Sequence, residues 1–279
     1  MNIQFLCPRW GSEKIPWSVF LSNVKEAGYA GIEWFPCGEE EELQETIRLV
    51  RKFELEYAIV MAVLNPPVEP SAYVAALHEQ LAGLCRLGKD IQKPLFVSAQ
   101  TGREYFDERQ IADCLTCCEE ISRQSGIPVY QETHRNKWSY AAHAVLPVLE
   151  KNPNLLLTLD ISHWFCVSES YLEDQQAAVQ KAIAHTRHIH ARVGHTQGPQ
   201  VRDPSAEEYA AALEAHLAAW DQYISQRRAA AAPQCTITPE FGPWPYLVRG
   251  DPNGNEQEEQ WRLNLQMKEF LERRYLLNK

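Results

Sequence analysis

The stretch Leu155-Leu156-Leu157-Thr158-Leu159-Asp160-Ile161-Ser162-His163 is an apolar run that stops on charged side chains. It reads as a strand with Asp160 and His163 where the strand runs out. Three further runs end in the same manner. Val129-Tyr130-Gln131-Glu132-Thr133-His134 precedes it, while His188-Ile189-His190-Ala191-Arg192 and Thr236-Ile237-Thr238-Pro239-Glu240-Phe241-Gly242-Pro243 follow. Working outward, strand-like runs begin near Ile3, Ala30, Tyr57, Pro94, Ile127, Leu155, His188 and Thr236, with starts 27, 27, 37, 33, 28, 33 and 48 residues apart. A strand, a helix and two loops need about 30 residues. Eight such units fill 279 residues, so the chain reads as a single-domain α/β protein, a (β/α)8 barrel over 1–279. A doubly wound open sheet alternates in the same way, but no G-x-G-x-x-G opens a first helix.

Between the strands, apolar residues at helical spacing predict helices over 39–55, 71–87, 107–125 and 210–224, with a last one over 255–277. Pro204-Ser205-Ala206-Glu207-Glu208 reads as a helix start, and the alanine-rich stretch 227–233 as a helix end. Gly28, Gly31, Gly88 and Gly126 fall near helix ends, where a positive φ is often required. The long gap before the eighth strand implies extra loop after His190.

Composition narrows the functional classes. Apolar residues are 45% of the chain and charged residues 23%, values of a globular protein. Lys and Arg total 27 against 37 Asp and Glu, a net charge of −10. That sign opposes binding to nucleic acid and to anionic membranes. The longest apolar run, 57–64, is far short of the roughly 20 residues of a membrane span. The N-terminus lacks the basic start and apolar core of a signal peptide. Eight scattered cysteines then read as reduced thiols of a cytoplasmic protein. Cys114, Cys117 and Cys118 are i, i+3, i+4 on a helix; with no second Cys or His pair nearby they read as packing thiols rather than zinc ligands.

Barrel chemistry sits where strands end at the C-terminal face. Strand side chains alternate in direction, so one inward parity gathers Glu132, Asp160, His190 and Glu240 around a single cavity. Three carboxylates converging alone would repel one another. A divalent cation removes the conflict, and an O3N ligand set suits one Mn2+, Mg2+, Co2+ or Zn2+ ion. Taken singly, each residue has a plainer reading, as a loop cap or a structural histidine. Their occurrence on four consecutive strands carries the metal reading.

Glu132-Thr133-His134, Asp160-Ile161-Ser162-His163, His190-Ala191-Arg192 and Glu240-Phe241-Gly242 resemble the xylose isomerase-like TIM-barrel superfamily, and within it the sugar phosphate isomerase/epimerase group. Gly28-Tyr29-Ala30-Gly31-Ile32-Glu33 and Thr101-Gly102-Arg103-Glu104-Tyr105-Phe106 are similar to further parts of that group. The resemblance implies that Glu132, Asp160, His190 and Glu240 bind one divalent metal, and that Glu132 and Glu240 exchange a substrate proton on opposite faces. It implies His163 and Arg192 as substrate contacts and the pairing of barrels into a homodimer. A hydroxy-ketone chelated by the metal would react through an enediolate. Proton return to the other face gives an epimer, and to the adjacent carbon an isomer. Loss of water instead would make the chain a keto-polyol dehydratase, and binding alone a non-catalytic sugar-binding barrel. His134 shares the face of Glu132 and either orients it or touches substrate. Glu33 is assigned to a sugar hydroxyl, with a loop cap as its alternative, and His188 to a deeper position in the barrel.

Departures from the superfamily's zinc endonucleases are informative. Asn65 and Gln100 stand near two positions where those enzymes carry extra histidines, and no Asp-x-His follows His190. A three-zinc cluster and DNA cleavage are therefore not expected. Many relatives carry Lys and Asp after the strand-7 histidine; this chain has Arg192 and no Asp. Trp10, Trp34, Phe35, Trp164 and Trp244 lie at or beyond strand ends, placed either to stack on a sugar or to pack the barrel mouth. Arg9, Arg103, Arg135 and Arg202 fall in the same loops, where one is placed to meet an anionic group.

Overall fold

The computed structural model describes residues 1–248 and 254–277. Its strands are β1 (Asn2–Pro8), β2 (Gly31–Trp34), β3 (Glu56–Ala62), β4 (Val97–Gln100), β5 (Val129–Glu132), β6 (Leu157–Leu159), β7 (Thr186–His190) and β8 (Gln234–Thr238). Each pairs in parallel with the next, and β8 pairs with β1, closing the barrel. The helices around it are α1 (Trp17–Glu26), α2 (Glu40–Lys52), α3 (Pro70–Leu87), α4 (Glu108–Ser125), α5 (Ala142–Lys151), α6 (Ile161–Ser168), α7 (Gln176–His185), α8 (Ala210–Ala229) and α9 (Glu256–Glu272). Every strand begins within three residues of the sequence expectation. Among the described residues no helix is long and apolar enough to cross a membrane.

The four helices that patterning missed are α1, α5, α6 and α7. Three of them have only ten residues and α6 has eight, too short for a 3.6-residue period to stand out. α6 starts directly at the end of β6. Asp160 is its N-cap, accepting from the Ser162 N–H at 3.0 Å. His163 therefore sits in the first turn of a helix, not on a strand.

Apolar side chains on the outward parity of the strands, such as Ile32, Ile59, Leu157 and Ile237, meet Leu77, Leu81, Leu115 and Ile121 from the helices. Cys114, Cys117 and Cys118 are buried in this layer on α4, where burial raises their thiols. Inside the barrel the order is different. Leu6, Ala58 and Phe96 pack with Tyr130 into a separate apolar plug. Ser98, Thr158, His188 and Thr236 follow toward the C-terminal ends, all buried. Ser98 Oγ lies 2.9 Å from Thr158 Oγ1, and His188 Nδ1 2.7 Å from Thr236 Oγ1. The interior thus grades from apolar to polar along the barrel axis, and charge appears only at the top.

Gly28 and Gly126 take the positive φ expected of helix ends, +73° and +69°. Gly31 and Gly88 do not. They are required by close approach: a Cβ at Gly31 would lie 2.2 Å from the Glu56 carbonyl oxygen, and one at Gly88 2.0 Å from that of Gln92. The stretch 227–233 is the end of α8. The chain after β7 is braced from below by His216 of α8. Its Nδ1–H donates to the Ala212 carbonyl at 2.8 Å, and its Nε2 accepts from the Gly194 N–H at 3.3 Å.

Burial outweighs the Ala212 hydrogen bond and lowers the His216 imidazole from 6.5 to about 4. The unfolded chain therefore binds the extra proton first, and stability is lost as pH falls from about 6.5 toward 4. The shift corresponds to a loss on the order of 3 kcal/mol from this one group. Urea unfolding at pH 7 and pH 4.5 should show a smaller stability difference for His216→Gln than for the parent; an equal difference would contradict this role.

Candidate metal centre

Strands β5 to β8 carry Glu132, Asp160, His190 and Glu240 to one point at the top of the barrel. Asp160, His190 and Glu240 offer ligand atoms within 4.8 Å of one another. Glu132 joins through His190, whose Nδ1 is 3.7 Å from Glu132 Oε1 and 3.1 Å from Glu240 Oε2. Thr133 pins the strand end between them, its hydroxyl meeting the N–H of Asp160 at 2.8 Å and the carbonyl of Asp160 at 2.9 Å.

Glu33 lies opposite, at the end of β2. Its carboxylate accepts from His190 Nε2 at 3.1 and 3.2 Å and stands 3.5 Å from His188 Nε2. Both oxygens are turned onto His190, and Glu33 is only 3% exposed. A carboxylate at Nε2 keeps the proton on that nitrogen, so a cation arriving at Nδ1 would displace only the proton that Glu240 and Glu132 favour there. Nδ1 is buried without a hydrogen-bond partner and faces Glu132 and Glu240. That orphaned nitrogen beside three carboxylates fits a divalent cation with oxygen and nitrogen ligands.

Arg192 supplies the fixed positive charge. Its Nη2 donates to Asp160 Oδ2 and, at 3.0 Å, to His163 Nε2, and lies 3.7 Å from Glu240 Oε2. Its guanidinium rests 4.7 Å above the Tyr246 ring. His163 is fully buried and stacks on His134 at 4.0 Å between ring centres. Burial, reinforced by His134 and Arg192, lowers His163 well below the ordinary imidazole range. Burial also lowers His134, to about 3. Both rings are neutral.

The carboxylates are not equivalent. Burial pushes Glu132 up to about 8, with the charges of Glu240 and Asp160 adding to it and His190 opposing. Burial acts on Glu240 in the same direction, but His190 and Arg192 outweigh it and hold Glu240 below the carboxylate range. For His190, burial is outweighed by Glu240, Glu33 and Glu132, which push it well above its ordinary value.

A cavity of about 500 Å³ opens above this cluster. Glu132, Glu240, His134, Arg192 and Glu33 reach its wall, whereas Asp160, His163 and His190 do not. Gln100 and Tyr246, which the sequence reading left out of the site, also line it. Gln100 ends β4 on the inward parity and donates to Glu132 Oε1 at 3.0 Å, so the strand-end rule applied to β4 identifies it. Tyr246 lies on a loop with no local pattern. Of the aromatics singled out, Trp10, Trp34 and Phe35 line the cavity; Trp164 is buried, its indole N–H on the Ser139 carbonyl at 2.8 Å, and Trp244 is 67% exposed. Arg9 is buried and lines the cavity, its guanidinium over Trp17 and Phe20 and its Nη2 donating to the Ile15 carbonyl at 2.6 Å, and Arg103 meets Asn136 at 3.3 Å.

A sequence profile described as Xylose isomerase-like TIM barrel matches residues 21–225. No curated protein matches the chain in sequence. Among solved structures, the probable 3-DHS dehydratase AsbF of Bacillus anthracis is 19% identical with a TM-score of 0.60, over 97% of this chain and 99% of that one. The D-psicose 3-epimerase of Clostridium cellulolyticum H10 is 12% identical with a TM-score of 0.61, over 99% of both chains. A xylose isomerase-like TIM barrel protein of Mycobacterium smegmatis, in complex with magnesium, is 12% identical with a TM-score of 0.58, over 95% of this chain and 96% of that one. At these identities the likeness is one of fold.

Removing the carboxylate behind His190 should be felt as metal affinity. Calorimetric titration of Glu33→Leu with Mn2+ should show binding about 10–100-fold weaker than in the parent, and Glu33→Gln, which keeps an acceptor for Nε2–H, should fall between. Unchanged affinity in Glu33→Leu would contradict the arrangement.

Proposed function

The chain belongs to the xylose isomerase-like TIM-barrel family, and from that membership and the geometry above we propose that it is a divalent-metal-dependent isomerase or epimerase of a sugar or keto-sugar. One observation carries the reading. Glu132 and Glu240 both face the orphaned His190 Nδ1 and both reach the cavity wall, whereas Asp160 and His190 are sealed behind them. Asp160 and His190 are therefore ligands only. Glu132 and Glu240 are in addition placed to handle a substrate proton.

When bound among these four side chains, the ion would supply a Lewis acid that polarises a substrate carbonyl and eases proton loss from the neighbouring carbon. The protein's own part is the division between two carboxyls. Glu240, kept ionised by His190 and Arg192, is the base that takes the carbon-bound proton. Glu132, the other carboxyl of the pair and also on the cavity wall, is placed to exchange the proton on the opposite face. Gln100 at Glu132 Oε1 and Ser98 at Glu132 Oε2, 3.2 Å away, fix its carboxyl plane. Arg192 and His134 line the same wall and orient substrate oxygens. Return of the proton to the opposite face of the same carbon makes an epimer; return to the adjacent carbon makes an isomer.

A dehydratase is the second reading, favoured by the likeness to a dehydratase and by His134, a third titratable side chain on the wall beside Glu132. Loss of water from the substrate, rather than recovery of an epimer or isomer, identifies it.

In deuterated water with Mn2+, a panel of ketoses and keto-glycosides followed by NMR should reveal one whose C–H exchanges with solvent. Glu240→Gln should lower that exchange by about 10²–10⁴-fold with the fold retained, and exhaustive chelation should stop it until Mn2+ is restored. Exchange that persists in either preparation would contradict the mechanism.

A further inference from the structure

The cavity has two unlike halves. Toward β5–β8 it presents Glu132, His134, Arg192 and Glu240; toward β1–β3 it presents an apolar strip of Trp10, Trp34, Phe35, Cys37 and Val60 beside the charged Arg9, Glu13 and Glu33. Phe35 is 41% exposed although it sits on the wall of a concave site. A sugar carries hydroxyls on most of its carbons, and the charged groups around the cavity are placed to pair with them, whereas the strip of Trp34, Phe35, Cys37 and Val60 is not.

That apolar strip continues outward. A groove of about 260 Å³ runs between α2 and α3, and Phe35, Cys37 and Val60 line both it and the cavity. Leu43, Met61, Leu64 and Leu84 form its other walls. Leu64 is 46% exposed and held in place, because the Gln80 side chain accepts from the Leu64 N–H at 2.8 Å and donates to the Leu64 carbonyl at 3.2 Å. The Gln80 amide is thereby spent on the backbone. The remaining polar side chain, Glu40, accepts from Gln44 at 2.9 Å and is exposed. A second sugar ring laid here would leave its hydroxyls unpaired, which is costly. An aromatic ring would lose nothing and remove apolar surface from water; a cavity of about 150 Å³ already admits benzene.

We infer that the substrate is a keto-glycoside with an aromatic aglycone, the sugar lying over Glu132 and Glu240 and the aglycone passing Phe35 into the groove between α2 and α3. The inference rests on the proposed sugar chemistry for the placing of the sugar end. The commitment to an aglycone comes from continuity: Phe35, Cys37 and Val60 line the groove and the catalytic cavity alike.

Calorimetry on the full chain loaded with Mn2+ tests it, using 4-nitrophenyl and methyl glycosides paired in the gluco, galacto and xylo series. In at least one series the aryl member should bind about tenfold or more tighter. Leu64→Glu, with an unchanged circular dichroism spectrum, should bring the aryl-to-methyl ratio close to one, and Phe35→Ala should reduce it. Aryl members no tighter than their methyl partners in every series, or a preference that survives Leu64→Glu, would overturn the inference. Solvent exchange on methyl keto-glycosides without any aryl preference would keep the proposed activity and remove the groove from it. An aryl preference abolished by Leu64→Glu, without exchange on any keto-sugar, would keep the groove and remove the activity.

Discussion

Three like charges cannot be closed into the top of a barrel without positive charge between them. Glu132, Asp160 and Glu240 are buried together, and the groups that answer them are Arg192 and His190. Arg192 is committed to Asp160 and His163. His190 is committed at one nitrogen to Glu33, itself a fourth buried carboxylate. Burial, with the charges of Glu240 and Asp160 added to it, is what raises Glu132, and the unpartnered His190 Nδ1 faces it. The layered interior serves this arrangement. The apolar plug of Leu6, Ala58 and Phe96 and the hydroxyls of Ser98 and Thr158 lie below the cluster, and the cavity opens above it.

Much of this was legible in the sequence, because the rules involved are local. Strand alternation alone put Glu132, Asp160, His190 and Glu240 on one parity, and the spacing of apolar runs gave eight strand–helix units. What stayed illegible depends on closure. Glu33 and His190 are 157 residues apart, and nothing along the chain says that β2 faces β7 across the barrel. Glu33 therefore read as a residue of the mouth, although its oxygens are bound inward. Tyr246 reaches Arg192 from a loop without periodicity. Asp160 is strand end, helix cap and Arg192 partner at once, and its sequence context announces only the first. Gly31 and Gly88 looked like turn glycines, but the contact that demands them belongs to a neighbouring strand and loop.

Burial divides labour within the cluster. Side chains that no solvent reaches, Asp160, His163 and His190, hold geometry; those at the cavity wall, Glu132, Glu240, His134 and Arg192, meet what enters. Over β5–β8 the cavity wall carries Glu132, His134, Arg192 and Glu240; over β1–β3 it carries Trp10, Trp34 and Phe35 together with Arg9, Glu13 and Glu33. Strand ends and loops thus meet in one wall, as in a barrel whose loops differ while its strand ends stay fixed.

The central claim is that a single cation completes the cluster at His190 Nδ1. Crystals grown with Mn2+ and measured at the manganese absorption edge test it directly. The account predicts one anomalous peak, bonded to His190 Nδ1, Asp160, Glu240 and Glu132, with Glu33 still on His190 Nε2. No peak at that point, or Nδ1 turned onto a protein group with the carboxylates spread apart, would contradict it.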